Sequence, residues 1–288
     1  MEQGIVRFLK SEDPLYEGAY LNKVRFIPKS EKGCDVWPLW LIHSGYLWEV
    51  RKRIPAGGRI LELGCAGGSA YFAKRYQMIG LDLSYASLRL ANGFYDTKIQ
   101  ADVAKGIPLP DQSVDAVISS YFWEHTAPAQ KPEVLGECKR VLKPGGKLIF
   151  LYDVTTLNPL IHFAKKRNPD LYRKLFLDKD GHLGYQTPKA NKDLFLEQGF
   201  KILEHKGMEK TVIQSPSVYE KLQHWNAWLK GFSKAGIFFT KPPWFYGYTA
   251  FVRIVDETIG RLLPITWSRV VMSICEKSED KDIHRKRI

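Results

Sequence analysis

Cysteine is scarce in this 288-residue chain: Cys34, Cys65, Cys138 and Cys275 are far apart and form no CxxC pair. That spacing excludes both a zinc framework and a disulfide scaffold, and it fits a reducing compartment. Long apolar runs are missing as well. No stretch approaches the roughly 20 consecutive apolar residues that a membrane span needs. The opening MEQGIVRFLKSEDPLYEG is broken by Glu, Asp and Lys and has no apolar h-region, so no secretory signal is read there. No internal repeat or low-complexity tract is evident. Acidic residues are in deficit, 31 Asp and Glu against 43 Lys and Arg, for a net charge of +12. The excess favours anionic partners such as phosphate-bearing small molecules, membrane surfaces or nucleic acid, although lysines kept for solubility explain it equally well. What is present, 44% hydrophobic and 26% charged residues, is globular composition and excludes wholesale disorder. The expectation is a cytoplasmic protein with one large α/β domain or two small ones, in contact at most with a membrane surface.

From Arg59 to about Glu204, short β-branched runs alternate with helical patterns. RILELG, QMIGLDL, TKIQADV, VDAVISS, GKLIFLYDV and FKILEH read as strands. SAYFAKRY, ASLRLANGF, KPEVLGECKRVL and KANKDLFLEQG carry helical spacing. This alternation predicts a doubly wound parallel sheet covered on both faces. Two regions leave the rhythm. Residues 1–50 precede the core, and 207–265 form an aromatic-rich stretch interrupted by Pro242 and Pro243. Connections of that length are usually lids, binding surfaces or interfaces. The expected organisation is an extension or lid (1–50), a ligand-binding core (51–206), an insertion serving as acceptor cap or interface (207–265), a last core strand (266–276) and a polar tail (277–288).

The segment Ile60-Leu61-Glu62-Leu63-Gly64-Cys65-Ala66-Gly67-Gly68-Ser69 runs from a strand through a Gly-rich turn into a helix. It fails the dinucleotide template G-x-G-x-x-G, and no GK[ST] follows to make a phosphate loop. Glu62 would repel a pyrophosphate but suits a cationic ligand, such as a sulfonium bearing an α-amino group. Asp82 ends IGLDL and Asp102 ends KIQAD. At the carboxyl ends of successive strands they would line the ligand crevice, one accepting from ribose hydroxyls and the other from an adenine amino group. A single such Asp is usually a solvated loop residue; three acids at matching strand ends make a site.

The stretch from Arg59 to Asp153 resembles the core of the class I S-adenosylmethionine-dependent methyltransferases, and within them the subgroup that includes the ubiquinone/menaquinone methyltransferases. ELGCAGG resembles the family's E-x-G-x-G-x-G with Ala66 at the middle glycine. DLS at 82–84, ADVAKGIPLPDQSVDAVISS, WEH at 123–125 and RVLKPGGKLIF at 140–150 resemble its later motifs. The resemblance implies a Rossmann-like seven-stranded sheet whose last strand, SRVVMSICEK, is antiparallel and lies beside the fifth. It implies S-adenosyl-L-methionine as methyl donor and S-adenosyl-L-homocysteine as product. The donor would be held by Glu62, Gly64, Ala66, Gly68, Asp82, Leu83, Asp102, Val103 and the backbone of Ser119.

Methyl transfer chiefly needs alignment, and a hydroxyl acceptor also needs a base. His125, after the fourth strand, is the first candidate base, although a histidine there can equally cap or pack a helix start. Asp153 is a weaker candidate, and His43 and His182 are weaker still. No His/carboxylate cluster of metal-ligand type is read, so no metal is expected. Ser119-Ser120-Tyr121-Phe122 replaces the Asn/Asp-Pro-Pro-aromatic tetrad of enzymes that methylate nucleobase amines, which points away from nucleic acid. The expectation is O-methylation of a small-molecule acceptor. Its rivals are a lipid, quinone or lipid-linked acceptor at a membrane surface, and an inactive methyltransferase-like scaffold. Trp225, Trp228, Trp244, Phe245 and Tyr246 would wall a pocket, dip into a membrane interface beside Lys230, Lys234 and Lys241, or form a cap core or homodimer contact.

Overall fold

The chain was analysed as a computed structural model, which describes residues 4–9, 37–65, 70–91, 93–239 and 244–278. Strands β1 (Ile5–Arg7), β2 (Arg59–Leu63), β3 (Gln77–Asp82), β4 (Thr97–Gln100), β5 (Val114–Ser120), β6 (Leu142–Asp153), β7 (Phe200–Met208) and β8 (Val270–Lys277) form one sheet. Their order is β1-β4-β3-β2-β5-β6-β8-β7. Neighbours are parallel except that β8 runs antiparallel to both β6 and β7. The last strand thus inserts beside the fifth expected strand, as the sequence implied. The count of seven is corrected to eight. Ile5–Arg7 adds an edge strand in register with Lys98–Gln100, where it pairs backbone groups that an open edge would leave bare. Arg7 Nε donates to Gln100 Oε1 at 2.8 Å and its guanidinium lies over the Tyr85 ring. Three residues are too few to show a strand period.

Successive strand residues feed opposite faces. Leu61, Leu63 and Val117 join a core with Val134, Leu135 and Cys138 of α4 (Lys131–Val141) and Phe195 of α7 (Pro188–Glu197). Ile60, Ala116 and Ile118 join a second core with Tyr46, Leu47 and Val50 of α1 (Tyr46–Arg53) and Phe72 of α2 (Ala70–Ala73). Both faces being covered, the middles of β2 and β5 are apolar runs instead of alternating, with polar residues near their ends. Helix α3 (Tyr85–Leu90) starts at Ser84, whose side chain accepts from the Ser87 N–H and caps the first turn.

A third core lies in a helical cap. It joins Leu160, Ile161 and Ala164 of α5 (Pro159–Arg167) and Tyr172 of α6 (Pro169–Tyr172) to Phe176 in the π-helical stretch Arg173–Asp178. Val218, Tyr219 and Leu222 of α8 (Pro216–Leu222) and Leu229 of α9 (Ala227–Phe238) complete it. The insertion therefore packs with residues 159–178, on the far side of β7 in sequence. Asn158 pins the junction: its Oδ1 caps α5, and its Nδ2 donates to the carbonyls of Lys210 and Thr211 at 2.9 and 2.8 Å. Helix α10 (Trp244–Glu257) ties the cap to the sheet through Asp256, which accepts the Glu209 N–H at both oxygens.

Candidate functional site

The carboxyl ends of β2, β3, β4 and β5 meet at one rim of the sheet. At the end of β2, Glu62 is buried and accepts from Tyr95 Oη at 2.7 Å. Burial and the Glu62 charge push the Tyr95 phenol well up, so it stays protonated as a donor. Gly64 has φ +62°, and a Cβ there would stand 2.6 Å from the Phe122 ring. Only glycine meets both demands. Ser119, fully buried, donates from Oγ to the Leu63 carbonyl at 3.1 Å and ties β5 to that turn.

At the end of β3, Asp82 is buried and its Oδ1 accepts the Ser84 N–H at 2.8 Å, which sets the carboxylate's direction. The Leu83 carbonyl accepts from Gln100 Nε2. After β4, Asp102 caps a short turn through the Ala104 N–H at 3.1 Å, with Val103 buried behind it. Its contact with the exposed Lys105 is long, 3.5 Å, and adds little. A cleft of about 370 Å³ opens beside Asp102, walled by Phe8, Leu9, Ala101, Ile107 and Pro108. The carboxylates Glu62, Asp82 and Asp102 thus stand at three adjacent strand ends. The set suits a ligand with a cationic end, a diol and an adenine. Ala66 and Gly68 lie outside the described residues.

Beyond β5 the rim becomes a second, more polar group. Tyr121 has φ +55°, a strained conformation for a bulky residue, and turns the chain into Phe122 and the 3-10 turn Trp123–His125. Trp123 is fully buried, stacks on Phe195 and donates to Asn191 Oδ1 at 2.8 Å, which anchors the turn. His125 Nδ1 lies 2.9 Å from the Gly181 carbonyl and His182 Nδ1 lies 2.9 Å from that of Phe176. Each Nδ1 is therefore the donor, and Nε2 is the basic nitrogen of each ring. The rings meet edge to face at 5.0 Å. Burial holds His182 down at about 4, so it is neutral at physiological pH.

Asp153, at the end of β6, is bound to Arg269 Nη1 at 2.9 Å and accepts from Tyr185 Oη at 3.3 Å. Arg269 Nε in turn binds Glu209 Oε2 at 2.8 Å, and Nη2 reaches Ser215 Oγ at 3.0 Å. Asp153 is thus committed to an ion pair that joins the sheet to the cap. The reading that no His/carboxylate cluster exists is corrected: Glu124, His125 and His182 bring three ligand-type atoms within 4.8 Å of one another. The residues lie 57 positions apart, too far for any spacing rule. Tyr95, Glu124, Arg269 and Glu209 were not singled out from the sequence either. His43 stands apart, in a short turn before α1.

The family model described as a methyltransferase domain matches residues 61–150. A demethylmenaquinone methyltransferase of Symbiobacterium thermophilum is 30% identical over 200 residues, which cover 57% of this chain and 75% of the relative. A malonyl-[acyl-carrier protein] O-methyltransferase of Coxiella burnetii is 33% identical over 96 residues, and the chain spans only 32% of its length. Phosphoethanolamine N-methyltransferase 2 of Haemonchus contortus, solved with S-adenosyl-L-methionine, superposes with a TM-score of 0.57 at 15% identity. The match covers 94% of this chain and 61% of that one.

Proposed function

We propose that this chain, which belongs to the class I S-adenosylmethionine-dependent methyltransferases and uses S-adenosyl-L-methionine as methyl donor, methylates an oxygen of a small-molecule acceptor seated between the sheet rim and the helical cap. The observation that carries this reading is the polar group of Glu124, His125, Asp153, His182, Tyr185 and Arg269 beside the three-carboxylate rim. When bound, the donor supplies a methyl carbon on a sulfonium whose departure as a neutral thioether needs no acid.

The residues that hold it, in this reading, are Glu62 on the cationic methionine end, Gly64 and the Ser119 backbone around it, Asp82 and Leu83 at the ribose, and Asp102 and Val103 at the adenine. A hydroxyl acceptor gives up a proton as the methyl arrives. His125 is the base we assign, through Nε2, because the Gly181 carbonyl keeps the ring in the tautomer that leaves this nitrogen basic. Asp153 is better suited to holding Arg269 and Tyr185 than to taking a proton. With Glu62, Gly64, Asp82 and Asp102 all present, nothing favours the inactive-scaffold reading.

A second reading rests on the cap surface. Trp228 (67% exposed) stacks on Phe232, and Phe238, Trp244 and Phe251 are also exposed, with Lys230 and Lys234 between them. Such a face suits a membrane interface and therefore a lipid or quinone acceptor. Among the described residues no helix is long and apolar enough to cross a membrane.

The test is transfer of labelled methyl from S-adenosyl-L-methionine to a panel of small phenols and carboxylic acids in free solution, and to a demethylated quinone in anionic vesicles. Label in a free small molecule supports the first reading. Label only with vesicles, together with co-flotation, supports the second. Label on neither, from protein that binds the donor, overturns both.

A further inference from the structure

Glu124 is 1% exposed, and neither of its carboxylate oxygens has a hydrogen-bond partner among the described residues. A bare buried carboxylate is costly unless a positive charge answers it. The two buried cations nearby are already engaged. Lys131 Nζ donates to the Gly184 carbonyl, Gln186 Oε1 and Asn191 Oδ1 at 2.8, 2.9 and 3.2 Å. Burial also brings this amine down to about 7, so its charge is only partly present at neutral pH. Arg269 is spent on Asp153 and Glu209. Three buried acids therefore face two buried bases, and Glu124 is answered only at a distance by the partly charged Lys131, with no hydrogen bond to either of its oxygens among the described residues.

Around that acid stand His125 and His182. Each has its Nδ1–H fixed by a backbone carbonyl, which aims Nε2 and sets its tautomer, the outer-shell arrangement of metal-binding imidazoles. We propose that Glu124, His125 and His182 bind one divalent first-row transition cation of borderline softness, of the Zn²⁺ class. Two imidazoles and one carboxylate suit such an ion better than Mg²⁺ or Ca²⁺, which prefer all-oxygen shells. Three protein ligands leave a position open, as catalytic and not structural sites do.

In a tetrahedral site with bonds of about 2.0–2.1 Å, ligand atoms sit about 3.4 Å apart. The three atoms here lie within 4.8 Å, so binding draws them inward by at most about 1.4 Å. The three side chains belong to the polar group to which the acceptor was assigned above. The chemical role of the cation thus rests on that reading, whereas its binding depends on the three side chains alone. Cation and proton compete for the His125 lone pair, so the base role belongs to the metal-free protein.

The experiment is titration of chelator-treated full-length protein with Co²⁺, read by visible d–d absorption, and with Zn²⁺ by calorimetry. Glu124→Gln and His182→Asn are run beside it, and S-adenosyl-L-methionine binding and thermal midpoint are measured on every sample. The expected result is one Co²⁺ per chain with a d–d band, displaced by Zn²⁺ and not by Mg²⁺. Affinity should fall roughly 100-fold or more in each variant, since losing a ligand costs at least what losing an outer-shell partner does. Donor binding should be unchanged. Absence of the band in folded protein that binds the donor overturns the proposal. So does equal cobalt affinity in Glu124→Gln, which would mark Glu124 as a protonated acid that burial and Asp153 hold neutral. Failure to bind the donor while cobalt binds would count against the assigned donor site and leave the metal site standing.

Discussion

Removing Arg269 tests whether the ion-pair bridge between sheet and cap organises the acceptor region. Arg269→Met keeps most of the aliphatic length but deletes the bonds to Asp153, Glu209 and Ser215. The stranded side chains are 9% and 5% exposed, so water cannot take over. Breaking a buried pair from one side costs about 3–5 kcal/mol, because the remaining charge stays uncompensated. That is roughly a 100- to 4,000-fold drop in the folding equilibrium constant. Urea unfolding followed by tryptophan fluorescence would measure it, with the slope against denaturant unchanged if the folded state keeps its extent.

The pH dependence of this variant sharpens the test. Without the guanidinium, burial raises the folded-state pKa of both carboxylates above their unfolded values. The folded variant then binds more protons than its unfolded chain, so its stability recovers as pH falls from about 7 toward 4. The deficit relative to the parent should narrow over that window, and Glu209→Gln in the same background should recover part of it at pH 7. A loss below about 1 kcal/mol, or a deficit that does not change with pH, would refute the reasoning.

Asp82→Ala should weaken S-adenosyl-L-methionine and S-adenosyl-L-homocysteine binding alike, by about 1.5–3 kcal/mol or roughly 10- to 150-fold, in a calorimetric titration. Gly64→Ala should cost about 1–2 kcal/mol for its left-handed backbone and about 1–3 kcal/mol more for its Cβ against Phe122. Phe122→Leu in the same chain should relieve only the second part of the loss in thermal midpoint. His205 sits between Ser273 Oγ and the Pro188 carbonyl, and burial holds it down at about 4. Its unfolded form takes a proton near pH 6.5 while the folded form resists until about 4, so acidification through that window destabilises the fold. His205→Gln should flatten the decline of thermal midpoint between pH 6.5 and 5, and an unchanged slope would count against this origin.

The parts of the molecule legible from sequence are those where chemistry and chain are local. β2 through β8 are runs of four to twelve residues, the central ones largely apolar because both faces are covered, and Glu62, Asp82 and Asp102 stand at or just past the ends of β2, β3 and β4. Glu62, Asp82 and Asp102 could therefore be found by counting along strands. Ile5–Arg7 could not, because three residues have no period and the pairing that makes them a strand comes from β4. Tyr95 was invisible for a related reason: its hydroxyl matters only because the sheet brings it to Glu62, 33 positions earlier.

The acceptor side is composed almost wholly of such distant meetings. His125 was singled out for its place after a strand, yet its tautomer is set by Gly181, and its neighbour His182 arrives with the cap. Glu124 is legible in the sequence only as the middle of the motif WEH, and the burial of Trp123 beneath α7 is what carries it inside. Asp153 looked like a base because it ends a strand, and the structure spends it on Arg269, which lies 116 positions away. Two distant segments meet at this rim: the approach to β8 brings the arginine that binds Asp153 and Glu209, and residues 181–184 cover Glu124 without bringing a cation for it. Whatever binds at that rim meets a buried acid with no hydrogen-bond partner among the described residues and two imidazoles beside it, and a cationic partner or a proton must complete the set.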